Sequence, residues 1–389
     1  MINSGLWLLL IALALLLGWY LGFQVRIKHK AKRFRFHRDY IIGLNYLLNE
    51  EPDKAVDVFI KMLQVDAQTV ETHLALGSLF RRRGELDRAI RIHQNLVTKE
   101  ELDKVQRVQA LNELGKDYLS AGVLDRAEDV FKEVVNVDDH PLKSLYALLD
   151  IYEQEKDWMS AIEVAKQVEL VSGKRMHTVI AQYYCEIASS CLGQDLYDEA
   201  LLEVKKALSI DSTCVRASLI KGDIEHKNKN FKAAIKTCKK IESQDAQLLF
   251  EGLDVIIQSH VALGQEEALV AYLKQLVERY PKGPMLIALV NYLRESESDE
   301  SALSYLIEYV HDHPSFAALS LLLELRLASE TDEKGRDDLQ LLHKLMGSLM
   351  SHKAPYRCGS CGFSSRSMHW QCPSCKTWKS VSRHELTVA

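Results

Sequence analysis

The feature of this sequence that most constrains its fold is a repeated alanine. Eight alanines recur at intervals of 34, 38, 34, 39, 34, 34 and 34 residues, and they are Ala55, Ala89, Ala127, Ala161, Ala200, Ala234, Ala268 and Ala302. A fixed period of this size is typical of a chain built from one small structural unit, stacked so that neighbouring units cover each other. The sequence therefore predicts an all-α array of about eight to nine helix pairs over residues 39–350.

Positions around these alanines repeat as well. Small residues precede four of them by twelve positions, namely Gly43, Gly77, Gly115 and Gly222. Large apolar residues precede four of them by nine positions, namely Tyr46, Phe80, Tyr118 and Tyr152. Aromatic residues follow three of them by four positions, namely Phe59, Phe131 and Tyr272. We expect the small residues where two helices cross closely, and the aromatic residues in the gaps between units.

The turn between the two helices of a pair is visible twice. Gly84 and Gly122 each precede a short polar segment that leads into the next alanine, so we expect each glycine to end a first helix. An aspartate near the following start, Asp87 or Asp125, is expected to cap the second helix.

This pattern resembles the tetratricopeptide repeat, which has a 34-residue period, and the resemblance covers about residues 36–316. His93, Glu225 and Ser259 depart from it at aromatic positions. The resemblance implies a superhelix whose concave groove, lined by the first helix of each pair, binds other proteins. The implied partner-binding residues are Arg81, Arg82, Asn112, Lys116, Asp150 and Glu153.

An apolar run at residues 5–23, GLWLLLIALALLLGWYLGF, contains no charged residue. A helix of this length is roughly 29 Å long, close to the hydrocarbon core of a bilayer. Seven Lys and Arg residues follow within residues 24–38, and none precedes the run. The sequence therefore predicts a single transmembrane helix, a short periplasmic end at residues 1–4, a basic juxtamembrane segment at residues 24–38 and a cytoplasmic body.

Two further features of the run bear on this prediction. A cleaved signal peptide would carry its positive charge before the apolar run and a small-residue cleavage site after it, and the sequence has neither. Ala14, Gly18 and Gly22 form a stripe of small residues that would let two membrane helices approach closely, which indicates self-association into a homodimer.

Four cysteines near the C-terminal end have the spacing of a metal site. Cys358 and Cys361 form one CxxC pair, and Cys372 and Cys375 form another ten residues later. Each pair places two sulfurs on one tight turn, and two such turns build a tetrahedral cage of four thiolates. Residues 351–389 are too few to bury a core of their own, so we expect a bound metal to hold this module together.

The two pairs resemble the knuckles of rubredoxin, which points to iron, whereas a closed four-cysteine ribbon in general points to zinc. The sequence leaves both metals open. We expect the rubredoxin-like module to pack against the last helices of the array. The remaining cysteines are expected to be small buried apolar residues, and they are Cys185, Cys191, Cys214 and Cys238.

The charge distribution and the motifs exclude several functions. The net charge is −5, but residues 1–38 carry +7 and residues 351–389 carry +5, which leaves −17 for the body. An acidic body argues against nucleic-acid binding, which needs a basic face. The sequence shows no phosphate-binding loop, GxGxxG, HExxH or GxSxG motif, so we expect no catalytic residues and no enzymatic activity.

The order of parts, together with the segments RDYIIGLNYLLNEEPDKAVDVF, LFRRRGELDRAIRIHQ and YRCGSCGFSSRSMHWQCPSC, resembles the lipopolysaccharide assembly protein B family of Gram-negative bacteria. This resemblance implies a regulator in the cell inner membrane that limits lipopolysaccharide synthesis. It implies a non-catalytic adaptor that brings the lipid A pathway deacetylase to a membrane-bound ATP-dependent metalloprotease. The alternative is a scaffold that assembles lipopolysaccharide synthesis and export proteins, and a third hypothesis is electron transfer through a rubredoxin-like iron.

Overall fold

The computed structural model describes residues 40–46, 54–55, 58, 70–99, 102–281, 283–330, 332–351 and 354–383. The predicted transmembrane segment at residues 5–23, the basic segment at residues 24–38 and the small-residue stripe lie outside the described residues. Within the described residues, no helix combines the length and the apolar character needed to cross a membrane.

Helix pairs follow one another from Val70 to Ser351, and residues 40–46 are helical as well. The pairs are α1 (Val70–Arg82) with α2 (Leu86–Val97), α3 (Lys104–Ser120) with α4 (Leu124–Val137), α5 (Leu142–Glu155) with α6 (Trp158–Ser172), α7 (His177–Leu192) with α8 (Tyr197–Ile210), α9 (Val215–Lys227) with α10 (Phe231–Lys239), α12 (Leu253–Ala262) with α13 (Glu266–Arg279), α14 (Pro284–Ser296) with α15 (Asp299–Asp312), and α16 (Phe316–Ser329) with α17 (Glu333–Ser351). A short helix α11 (Ile241–Gln244) and a 3-10 helix (Ala246–Gly252) join α10 to α12.

The described chain divides into two compact units. The first ends at Asp157 and also takes in Leu170–Ser172. The second comprises Trp158–Glu169 and the described residues from Gly173 onward. The second unit thus contains both the later helix pairs and the cysteine-containing module.

The small residues of the repeat lie where the two helices of a pair cross. A Cβ atom built on Gly77 would lie 2.4 Å from the ring of His93, and one built on Gly115 would lie 2.6 Å from the ring of Phe131. Real Cβ atoms essentially never come so close, so only glycine allows these helices to pack. Phe131 fills the space over Gly115 inside its own helix pair, whereas the sequence led us to expect the aromatic residues in the gaps between units. His93 fills the corresponding space over Gly77.

The turns confirm one expectation and correct another. Gly84 and Gly122 have φ angles of +80° and +72°, the left-handed conformation that ends a helix. The expectation that Asp87 and Asp125 cap the next helices is wrong, because the N-cap residues are a glutamate and a valine without side-chain capping bonds. Both aspartates lie in the first helical turn instead, where a negative charge interacts favourably with the helix dipole.

The cores are apolar and follow the helix pairs. In the second unit, one continuous cluster of buried residues extends from Val215 to Leu325, mostly of leucine, isoleucine and valine. Burial of such side chains contributes roughly 1.5–3 kcal/mol each, which gives the stack its stability. In the first unit, Phe80, Ile92 and Ala89 form a smaller cluster with Leu76.

The cysteine-containing module is a small three-stranded antiparallel sheet with strand order β2-β1-β3. Its strands are β1 (Tyr356–Cys358), β2 (Ser364–Ser365) and β3 (Val381–Arg383). Tyr356 lies opposite Ser365 on one side and Arg383 on the other. The expectation that this module packs against the last helices is wrong. Among the described residues, its aromatic, cation–π and hydrogen-bond contacts lie on α6, α7, α9 and the 3-10 helix.

Candidate metal centre and partner-binding surface

The four predicted cysteine ligands converge on one point. The Sγ atoms of Cys358, Cys361, Cys372 and Cys375 all lie within 4.8 Å of one another. The Cys358–Cys375 and Cys361–Cys372 sulfur pairs are each 3.7 Å apart. A tetrahedral metal with metal–sulfur bonds of about 2.3 Å requires sulfurs about 3.8 Å apart. The cage therefore fits one zinc or iron ion, and the donor set suits either metal.

Two similar turns hold the cysteine pairs. The backbone N–H of Gly362 donates to the carbonyl of Cys358, and the N–H of Lys376 donates to the carbonyl of Cys372, both at 2.9 Å. Each donor residue follows the second cysteine of its pair, and each has a left-handed backbone, with φ of +79° for Gly362 and +57° for Lys376. Sequence reasoning found the glycine but missed the lysine, because a lysine gives no signal for this conformation.

The electrostatics of the cage favour metal binding. The Ser380 side chain, 3.3 Å from the Cys358 sulfur, lowers the pKa of Cys358 to about 5, assisted by backbone N–H groups of the turn. The lowered pKa favours the thiolate of Cys358, the form that ligates metals. Burial raises the pKa of Cys372 to about 11, so metal binding displaces a proton from this thiol.

An aromatic cluster joins the module to the helices of the second unit. The ring of Trp378 meets the ring of Trp158 at 6.3 Å and that of Tyr183 at 5.8 Å, both edge to face. Trp158 and Tyr183 stack on each other at 5.7 Å. Such pairs contribute about 0.5–1.5 kcal/mol beyond the area that they bury. Trp378 thus docks the module on α6 and α7.

Polar contacts fix the orientation of the docked module. The hydroxyl of Tyr356 donates to Glu251 in the 3-10 helix at 2.9 Å, and burial with this bond raises the pKa of Tyr356 to about 12. The guanidinium of Arg383 lies 4.5 Å from the ring centre of Phe250, also in the 3-10 helix. The metal-binding strands therefore rest on residues that precede them by about a hundred positions in the sequence.

In the first unit, one predicted partner-binding residue belongs to an internal ion network. Arg81 of α1 donates to Asp117 at 2.7 Å and to Glu113 at 2.5 Å, both in α3. The other oxygen of Asp117 lies 2.5 Å from Nδ1 of His93, and both His93 and Asp117 are fully buried. The guanidinium of Arg81 thus connects α1 to the next helix pair, which leaves its binding role a prediction.

The α3 candidates differ in exposure. The side-chain amide of Asn112 donates to the carbonyl of Val108 at 3.0 Å and accepts from the hydroxyl of Ser144 in α5 at 2.8 Å, so it links two helix pairs. Lys116 is exposed and pairs with Glu113 one turn earlier at 2.6 Å. Lys116 is the more accessible of the two to a partner.

An exposed face on α5 combines predicted residues with one that sequence reasoning missed. Asp150 is exposed, and Glu153 follows it by three residues, on the same face of the helix. Tyr146 lies one turn before Asp150 and is 39% exposed, although it is a large aromatic residue. The signal that could have found Tyr146 is its helical spacing of four from Asp150.

Arg82, the last of the predicted partner-binding residues, lies at the end of α1 and is exposed.

Comparison with known proteins agrees with both parts of the fold. A family model described as a rubredoxin metal binding domain matches residues 356–382, and a tetratricopeptide repeat model matches residues 72–105. Among solved structures, the MamA protein is 21% identical, and the match covers 47% of this chain and 95% of that one with a TM-score of 0.31.

Curated relatives match almost the whole chain, as two of them show by their identity and coverage. Lipopolysaccharide assembly protein B of Escherichia coli (strain K12) is 33% identical over 374 residues, with 96% of each chain covered. Lipopolysaccharide assembly protein B of Haemophilus influenzae is 30% identical over 382 residues, again with 96% of each chain covered. Identity at this level over nearly the full length shows that the chain belongs to the lipopolysaccharide assembly protein B family.

Proposed function

We propose that this protein is an inner-membrane regulator of lipopolysaccharide synthesis that works as a non-catalytic adaptor. It brings the lipid A pathway deacetylase to a membrane-bound ATP-dependent metalloprotease and so promotes degradation of the deacetylase. The observation that carries the proposal is the identity to lipopolysaccharide assembly protein B along 96% of the chain. The tetratricopeptide-like helix pairs support it, because stacks of this kind bind protein surfaces.

The metal centre supports a structural role in this adaptor. When bound, the metal supplies cross-linking of the two cysteine turns, because four thiolates complete a tetrahedral set and leave no position for a substrate. The module in turn covers part of the second unit through Trp378. A fixed surface formed from helices and module together is what a selective adaptor requires.

The face formed by Tyr146, Asp150 and Glu153 is the part of the first unit that we assign to one of the two partners. It combines an exposed aromatic ring with two carboxylates, and exposed aromatic residues are frequent at the centres of protein interfaces. A membrane helix at residues 5–23 would confine adaptor, deacetylase and protease to one surface, which raises their effective concentration without new contacts.

The adaptor proposal is tested by depletion of the protein and measurement of the half-life of the deacetylase. We expect the half-life to lengthen, and an unchanged half-life would refute the adaptor role. Complementation with Asp150→Lys should restore degradation less well than complementation with Asp129→Lys. Asp129 is an exposed aspartate on α4, so its reversal makes the same change of charge away from the α5 face.

The alternative is a scaffold for lipopolysaccharide synthesis and export proteins, which the word assembly in the names of the relatives favours. Affinity capture of the cross-linked full-length protein from membranes distinguishes the two. An adaptor should recover the protease together with the deacetylase. A scaffold should recover synthesis and export proteins without the protease.

A further inference from the structure

Two thiols outside the metal cage are in contact inside the second unit. Cys185 lies in α7 and Cys214 directly precedes α9, and their sulfur atoms are 3.8 Å apart. Cys185 is 0% and Cys214 is 1% exposed. By contrast, Cys238 has a packing role. A Cβ atom built on Gly222 would lie 2.4 Å from the Cys238 sulfur, so this thiol occupies the space that the glycine leaves. The contact between Cys185 and Cys214 therefore goes beyond the packing role expected for all four scattered cysteines.

The surroundings give the two thiols different chemistry. Cys214 is the N-cap residue of α9, where the helix dipole favours a negative charge. The hydrogen bond with Cys185 lowers the pKa of Cys214. Burial and the charge of Asp211 oppose this effect, while the backbone N–H of Ala217 and the charge of Lys379 add to it. The bond to Cys214 and burial raise the pKa of Cys185. Cys214 is thus suited to be the attacking thiolate, and Cys185 to be the thiol that resolves the product.

The docked metal module lies next to this pair. Trp378 packs against Tyr183, which is two residues before Cys185 in the same helix. Lys379 is close enough to Cys214 and to Asp211 for its charge to lower the pKa of both. Residues at the edge of the module therefore border both elements that carry the two thiols.

We propose that Cys185 and Cys214 form a reversible disulfide when a peroxide reaches them, and that the docked metal module controls this access. Disulfides in reducing compartments are transient and often sense oxidants. A reversible disulfide is therefore the kind expected for a helical body on the cytoplasmic side of the membrane.

The chemistry requires two balanced steps with hydrogen peroxide as the oxidant. The Cys214 thiolate attacks one peroxide oxygen, so a sulfur–oxygen bond forms, the oxygen–oxygen bond breaks, and the leaving hydroxide takes a proton to become water. The Cys214 sulfur is oxidised to a sulfenic acid, and peroxide is reduced. Cys185 then loses its proton and attacks this sulfur, a disulfide forms, and the hydroxyl group leaves as a second water. A dithiol reductant restores both thiols.

The metal cage supplies a physical reason for control by the module. Cys361 is exposed, whereas Cys185 and Cys214 are buried, so an oxidant reaches the cage first. Loss of the metal removes the cross-link that holds so small a module together. Release of the module from Tyr183 would then make local opening of α7 and the start of α9 easier, and peroxide could enter.

The experiment uses the full-length, metal-loaded protein in detergent. The protein is treated with hydrogen peroxide, quenched with an alkylating reagent and digested, and the peptide pair linked through Cys185 and Cys214 is measured by mass spectrometry. We expect linkage about tenfold faster after chelation of the metal than in the loaded protein, because the docked state must open locally to react. Trp378→Ala should accelerate linkage while its metal content stays unchanged, and dithiothreitol should reverse it.

Two cysteine variants complete the test. Cys191→Ser should leave the linkage unchanged, since Cys191 is a half-buried cysteine of the same helix. Cys185→Ser should convert the product to a sulfenic acid on Cys214 that dimedone traps. Absence of the linked peptide with and without metal would overturn the proposal. So would equal linkage rates in loaded and chelated protein, or disulfides to Cys191 or Cys238 in equal yield. None of these readouts depends on the adaptor role.

Discussion

Trp378 of the metal module lies edge to face with Tyr183 of α7, with ring centroids 5.8 Å apart, although the two residues belong to different halves of the sequence. This contact, with the stacking of Trp158 on Tyr183, links the metal centre to the middle of the helical array. The metal centre is therefore part of the second unit rather than an appendage to it.

Truncation of this contact should release the module. Trp378→Ala removes a buried ring, which costs about 3–5 kcal/mol at a well-packed site. We expect faster hydrogen exchange in α7 and in residues 354–383, with the metal still bound. His369→Ala is the control, because His369 hydrogen-bonds to Ser365 within the module. Unchanged exchange in α7 would show that the ring does not hold the module in place.

Metal analysis should find one ion per chain. Cys372→Ser should abolish binding, because it removes a ligand from the cage, whereas Cys191→Ser should leave the metal content unchanged. Visible absorption identifies the metal, since iron bound to thiolates absorbs strongly and zinc does not. A metal content unaffected by Cys372→Ser would contradict the cage.

The ion network in the first unit predicts a dependence of stability on pH. Burial raises the pKa of Glu113, but its bonds to Lys116, Arg81 and Ser78 outweigh this and lower the pKa from 4.5 to about 2. The folded state therefore binds a proton less readily than the unfolded state. The stabilisation is fully present above pH 4.5 and is lost as the pH falls towards 2.

We expect the loss to be about 1–3 kcal/mol, since Glu113 is partly exposed and each pKa unit corresponds to about 1.4 kcal/mol. The measurement is hydrogen exchange of α1 and α3 between pH 5 and pH 2.5, after correction for the intrinsic exchange rate. Glu113→Gln should show a flatter pH dependence than the unaltered protein. An identical slope in both would mean that another group titrates.

The close helix crossings predict a large cost for added volume. Gly115→Ala places a methyl group 2.6 Å from the ring of Phe131, and overpacking of this kind costs about 1–3 kcal/mol. Combination with Phe131→Leu should recover part of the loss, which a double-mutant cycle of thermal unfolding measures. Gly84→Asn is the control: no atom lies within 4 Å of that Cβ, and asparagine tolerates the left-handed backbone. Strictly additive effects would argue against a direct clash.

The sequence by itself determined the repeating unit. The alanine period and the small positions around it follow from contacts between residues that are near in sequence, so the close helix crossing at Gly115 was predictable. The place of the Phe131 ring inside its own helix pair was not, because the spacing does not show which neighbouring helix a ring faces. The four cysteine ligands of the metal could also be predicted from the sequence. Each CxxC turn involves only four consecutive residues, and paired cysteines at this spacing are typical metal ligands. The cap positions were less predictable, because the repeat pattern fixes the helix boundaries only to within one or two residues.

Only the tertiary structure decided where distant segments meet. The docking of Trp378 on Tyr183, the bond from Tyr356 to Glu251 and the contact between Cys185 and Cys214 join residues from different helix pairs or from the module. The repeat spacing does not predict such contacts, because they depend on how side chains from separate elements fit together once the helices have stacked. The physical reason is that packing is specific at the level of individual atoms, whereas the repeat pattern specifies only which face of each helix is buried.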